Sequence, residues 1–278
     1  MKGVHKNSFG IAGFFMITAV VPGIVLAATA GCDPSDPSTW QSPTWGAGTT
    51  VPKTAIIGAG TTIGTNTTIA SGVRIGVCGT IGNNVKLSVS TKLGDGVTVQ
   101  DGAVIGGYTQ VGDSANIGGN VTTGSSVNIG NGVTIGGGAT STTLAGSSTI
   151  KDNASIGNGV KIGSSAMVGT GSTIADGTSL GGSVRVGDAS KVGPNAVING
   201  YSVVGDSNTL GAITLGARSN LGDGNSVGDG TSIAGSVSSG VDVQIGANVT
   251  VGYDAYICDN AIIPDNMTIA GRSRYGCY

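Results

Sequence analysis

From Ile57 onward an aliphatic side chain returns at every sixth position: Ile63, Ile69, Ile75, Ile81, Leu87, Leu93, Val99, Ile105, Val111, Ile117, Ile129 and Ile135, with Thr123 as the polar exception. Extra residues around Gly136, Gly137 and Gly138 shift the phase, which resumes at Leu144 and holds through Ile150, Ile156, Ile162, Val168 and onward to Leu210. After a one-residue deletion a last run goes from Leu215 to Ile269, broken by Ser239. Two residues before each aliphatic stands a small or β-branched residue, such as Val73, Val85, Val97, Ala103, Ala115 or Ala166, and Gly, Asp, Asn or another small residue follows it. Side chains two apart on a strand share a face, so the small and the large apolar residue both point inward from one short strand. The Gly, Asp and Asn that follow tolerate the positive φ of a tight corner. A fixed short period of this kind predicts a β-solenoid rather than a helical or layered fold.

This grammar resembles the hexapeptide-repeat left-handed parallel β-helix superfamily, the bacterial-transferase hexapeptide type, over roughly 57–269. The resemblance implies an all-β fold: a single-stranded left-handed parallel β-helix, a triangular prism of about twelve 18-residue coils. The left-handed sense comes from the resemblance alone, since crossovers between parallel strands are otherwise right-handed. Stacked at about 4.8 Å per coil, the body would be roughly 55–60 Å long.

The ends read differently. Lys2, His5 and Lys6 precede an apolar stretch from about Phe9 to Leu26, and Ala28-Thr29-Ala30 follows, the pattern of a secretory signal peptide over 1–30. Thr29-Ala30-Gly31-Cys32 also faintly resembles a lipoprotein box, which leaves lipidation at Cys32 open. The expected divisions are a signal peptide at 1–30, an N-terminal cap segment at 31–56, the hexapeptide β-helix at 57–270 and a C-terminal cap tail at 271–278. Pro22 and Gly23 interrupt the apolar stretch and no second one follows, so no transmembrane span is expected after cleavage. Export to the cell exterior, the cell surface or the periplasm is the expected location. Four cysteines in an exported chain are expected to pair, Cys32 with Cys78 and Cys258 with Cys277. Trp40 and Trp45 lie before the body and Tyr253, Tyr256, Tyr275 and Tyr278 at or after its end, where they would cap open β-edges.

Charge narrows the partners. With 13 basic and 15 acidic residues, the chain has no nucleic-acid footprint. Every acidic residue is Asp, which favours turns. The family's acyltransferases resemble one another in using a His general base between subunits, and its carbonic anhydrase branch holds a metal on three His. Here the single His is His5, inside the expected signal peptide, and there is no Glu. Neutral-pH base catalysis and zinc binding lose their usual groups. No catalytic residue, cofactor or metal site is therefore expected. Asp95 with Asp113 and Asp188 with Asp206 stand 18 residues apart, as solvated turn residues or as a Ca²⁺ pair short of ligands. Arg74 and Lys92 form a small basic pair on one face.

Outward residues add one more pattern. Thr62, Thr80, Thr98 and Thr134 share a face, with Asn116 between, and Thr214, Ser232, Thr250 and Thr268 form another row. Such ladders resemble the ice-binding surfaces of insect antifreeze proteins, although those use Thr-x-Thr pairs, and Thr is also a good strand residue. Taken together, the sequence leads to the expectation of a non-enzymatic, secreted structural or adhesive scaffold, its partner a surface, a matrix or another copy of itself. Ice or crystal-surface binding is the alternative, and an acyltransferase with atypical residues the second.

Overall fold

A computed structural model describes residues 32–277. The expected signal peptide, His5 and Tyr278 lie outside them. All thirty-eight strands fall in three parallel sheets, and each strand is only two residues long, as in Thr62–Ile63 (β3), Thr68–Ile69 (β4) and Arg74–Ile75 (β5). Sheets A and C have 13 strands and sheet B has 12, and successive strands pass from A to B to C before returning. The molecule is an all-β left-handed parallel β-helix with about 13 coils.

Two-residue strands suffice because of how the backbone polar groups pair. In each coil the strand donates forward, Thr62 N–H to Gly79 C=O at 2.9 Å and Gly64 N–H to Ile81 C=O at 2.7 Å, while the corner donates backward, Asn66 N–H to Ala47 C=O at 2.9 Å. Corners and strands thus both carry the coil-to-coil ladder. The second residue of nearly every corner has a positive φ, among them Asn66, Asn84, Asn153 and Gly171. That is why Asn, Ser and Gly dominate those positions.

Inside, the expected aliphatics are buried in register: Leu144, Ile162 and Leu180 stack on sheet B. Each contributes about 1.5–3 kcal/mol before ordering entropy is subtracted. Two polar exceptions are satisfied rather than orphaned. Thr123 Oγ1 accepts the Gly106 N–H at 2.9 Å, and Ser239 Oγ accepts from Asn225 Nδ2 at 2.8 Å.

Strands extend past the expected body at both ends. Thr44–Trp45 (β1) pairs with β3, so that Trp45 occupies the inward row under Ile63, and Arg274–Tyr275 (β38) places Tyr275 over Ile257. The Tyr275 hydroxyl reaches across the mouth of the prism to the Ile262 C=O at 3.3 Å. Both expected disulfides are present, Cys32–Cys78 with a Cα–Cα distance of 5.5 Å and Cys258–Cys277 with one of 5.2 Å. The first lies against Gly60, which has φ 72°, and a Cβ there would collide with Cys32 Sγ. Among the described residues no helix is long and apolar enough to cross a membrane.

Candidate functional site

The three faces of the prism carry different chemistry. On sheet A the outward row runs Thr44, Thr62, Thr80, Thr98, Asn116, Thr134, Ser155, Thr173, Lys191, Thr209, Ser226, in register from coil to coil. The first expected ladder therefore continues well beyond Thr134. Its upper half escapes a fixed 18-residue spacing because the loop at 136–142 sets Thr134 opposite Ser155. Thr214, Ser232, Thr250 and Thr268 lie on a different face, sheet B, above Val197. Each row offers at most one hydroxyl per strand, not paired columns, and Asn116 and Lys191 interrupt the longer one.

Sheet C is the basic face. Arg74, Lys92, Gln110, Asn128, Thr149, Met167 and Arg185 follow one another in register. Between Lys92 and Lys151 the surface sinks into an open groove of about 550 Å³, which Gln110, Asn128, Asp152 and Thr170 also line. Lys151 Nζ lies 3.3 Å from Asp188 Oδ1, and both side chains remain accessible. Asp188 is held below the usual carboxylate range, first by the Thr170 N–H at 2.8 Å and then by the Lys151 ammonium. A second open groove of about 500 Å³ lies on sheet A, lined by Thr80, Thr98, Gln100, Asp101 and Asn120.

The aspartates do something the sequence did not disclose. At the corner from sheet C to sheet A, Asp95 Oδ1 accepts the Val77 N–H at 2.8 Å, and Asp113 Oδ1 accepts the Asp95 N–H at 2.8 Å. The same link joins Asn131 to Asp152, Thr170 to Asp188, Asp188 to Asp206 and Asp206 to Asp223, at 2.7–2.8 Å. These side chains are exposed, yet each staples its coil to the preceding one. Only a residue with an acceptor two bonds from Cβ makes this reach, which explains Asp and Asn there. Among the described residues no group of three potential ligands is placed to hold a metal.

No family model matches the chain, and no curated protein matches it. Solved structures do. The acetyltransferase domain of PglB from Neisseria gonorrhoeae, in complex with acetyl coenzyme A, is 19% identical over 51% of this chain and 56% of that one, with a TM-score of 0.32. The UDP-N-acetylglucosamine O-acyltransferase LpxA from Moraxella catarrhalis is 19% identical over 60% of this chain and 66% of that one, with a TM-score of 0.24. The corresponding acyltransferase from Campylobacter jejuni is 16% identical over 76% and 66%, with a TM-score of 0.27. At these values the likeness is one of fold. These three neighbours are acyltransferases, which stands against the expectation of a non-enzymatic scaffold. That expectation rested on the missing histidine, a residue-level absence that says nothing of what else the faces bind.

Proposed function

We propose that this chain is a group-transfer enzyme of the hexapeptide acyltransferase kind, holding a phosphate-bearing acyl donor along the sheet C groove. The observation that carries the reading is the cationic stretch of that face: Lys92 and Lys151 stand at the two ends of the groove with the amides of Gln110 and Asn128 between them. The separation is three coils, about 14 Å at about 4.8 Å per coil. Ammonium groups so spaced suit the separated phosphates of an extended donor such as a coenzyme A thioester, and amide donors suit the linker. The neighbouring carboxylates oppose this less than their number suggests, since the Asp152 and Asp188 Oδ1 atoms already accept backbone N–H groups.

Chemistry would proceed by attack of an amine or hydroxyl of the acceptor on the acyl carbonyl carbon. The carbon–sulfur bond breaks, and the proton lost by the nucleophile passes to the departing thiolate. Asp152, the carboxylate in the groove, is the group placed to relay it. The two disulfides fit an exported chain, which extends the sequence-based expectation of a signal peptide. In that setting the natural donor is one available outside the cytoplasm, and a coenzyme A thioester serves as its probe.

Titration calorimetry of the mature protein with acetyl coenzyme A tests the reading. Binding should weaken at least tenfold in Lys92→Gln with Lys151→Gln and should weaken with added salt. Asp152→Asn should keep binding and lose thiol release with amino-sugar acceptors, a clean readout because no free cysteine is present among the described residues. Absence of binding, or binding indifferent to the two lysines, overturns it.

A further inference from the structure

The corner between sheets B and C differs from the other two. It carries no aspartate ladder, and its left-handed positions hold the bulkiest side chains that adopt positive φ anywhere in the described chain: Tyr108 at 60°, Tyr201 at 63°, Arg218 at 60° and Arg272 at 58°. For a large side chain that conformation is strained. Tyr108 and Tyr201 are nevertheless 61% and 69% exposed, so neither packing nor capping explains them. Exposed aliphatics flank each ring. Val197 and Val203 lie on either side of Tyr201, and Val89 lies beside the Gly107 that precedes Tyr108.

Between the two tyrosines the same corner position holds Ser126, Ser147, Ser165 and Ser183. The rings thus stand five coils apart, about 24 Å at about 4.8 Å per coil, at the ends of an edge that presents only hydroxyls and backbone. An aromatic platform with flanking aliphatics binds the apolar face of a pyranose, and hydroxyls along a straight edge bind its equatorial oxygens. The coil rise is close to the length of one hexose in an extended glycan. Between the two tyrosines no residue of the corner itself is charged, Lys161 and Arg185 standing on the flanking strands, and the narrowness of the edge disfavours a folded partner.

We infer that this edge binds an extended neutral polysaccharide, with Tyr108 and Tyr201 as stacking platforms. The inference stands apart from the sheet C groove, since it uses none of the groove residues. Ser occupies the equivalent position in intervening coils, so Tyr108→Ser and Tyr201→Ser are compatible with the fold. The mature protein should be run in affinity electrophoresis through gels of neutral β-glucan and of xylan, and titrated with cellohexaose and chitohexaose. Retention by at least one neutral glycan is expected, with affinity reduced at least tenfold in the double variant and a melting temperature unchanged or raised by relief of strain. Retention by none of these glycans overturns the inference. So does binding that survives the double substitution, or a fall in melting temperature in the double variant, which would make the tyrosines structural.

Discussion

At the scale of single residues, direction decides everything. Ile162 is 2% exposed and lies between Leu144 and Leu180, whereas its neighbour Lys161 faces solvent. Ile162→Asp would place an unpaired carboxylate in a prism too narrow for water, at a cost of about 3–5 kcal/mol. Lys161→Asp should change stability by less than about 0.5 kcal/mol. Chemical denaturation of the pair checks the register, since equal effects would mean that neither side chain points inward. Buried polar residues obey the same rule with a different currency. Asn208 and Asn225 sit in the inner row at 0% and 1% exposure, and each side chain replaces apolar contact with hydrogen bonds to the following coil. Asn208 Nδ2 donates to Gly222 C=O at 2.9 Å, while its Oδ1 accepts the Asn225 N–H at 2.8 Å.

At the scale of the element, one coil meets the next through three corners that are chemically distinct. Asp188, at the corner from sheet C to sheet A, carries the acid response that can be read from the structure. Asp188 has its folded-state pKa lowered, so its contribution is present above the unfolded value of about 3.9 and is lost as pH falls through the folded value. Melting temperature should therefore decline with pH below about 4. In Asp188→Asn the Thr170 N–H keeps an acceptor but the titrating group is gone, so the acid-side slope should flatten while the hydrogen bond survives. Thermal melts from neutral to acidic pH read both; an unchanged slope would remove Asp188 from the acid response. The inward rows, the phase breaks and both cysteine pairs were legible in the sequence because they depend on period and count. The staples were not, because an exposed Asp at a turn looks the same whether its carboxylate meets water or an N–H one coil away. Trp45 was read as lying outside the body for a related reason: an aromatic in place of the aliphatic hides a strand that register alone reveals. Period placed Arg74 and Lys92 on one face, but Arg185 joins that column only once the loop at 136–142 is allowed for in the register.

At the scale of the whole molecule, each coil touches only its neighbours, so stability is a sum along the stack and the ends are its weakest points. The ends are also where open β-edges could recruit another chain. At the C-terminal end Gln244 N–H and Gly246 N–H donate forward to Ala261 and Ile263, but the position that would continue the second of these is Pro264, which has no N–H to offer. Tyr275 covers the core beneath, and Cys258–Cys277 holds the last turn over it. Replacing both cysteines with Ser should remove roughly 3 kcal/mol from the closure of that loop. The loss should be local. Hydrogen exchange at Tyr256, Ile257 and Arg274 should accelerate at least tenfold, while amides in the coils around Ile162 keep their protection. Sedimentation should detect association through the uncovered edges of sheets B and C, with sheet A still blunted by Pro264. Acceleration spread evenly over all coils would mean that the stack unfolds as one cooperative unit, and the nearest-neighbour description of its stability would have to be given up.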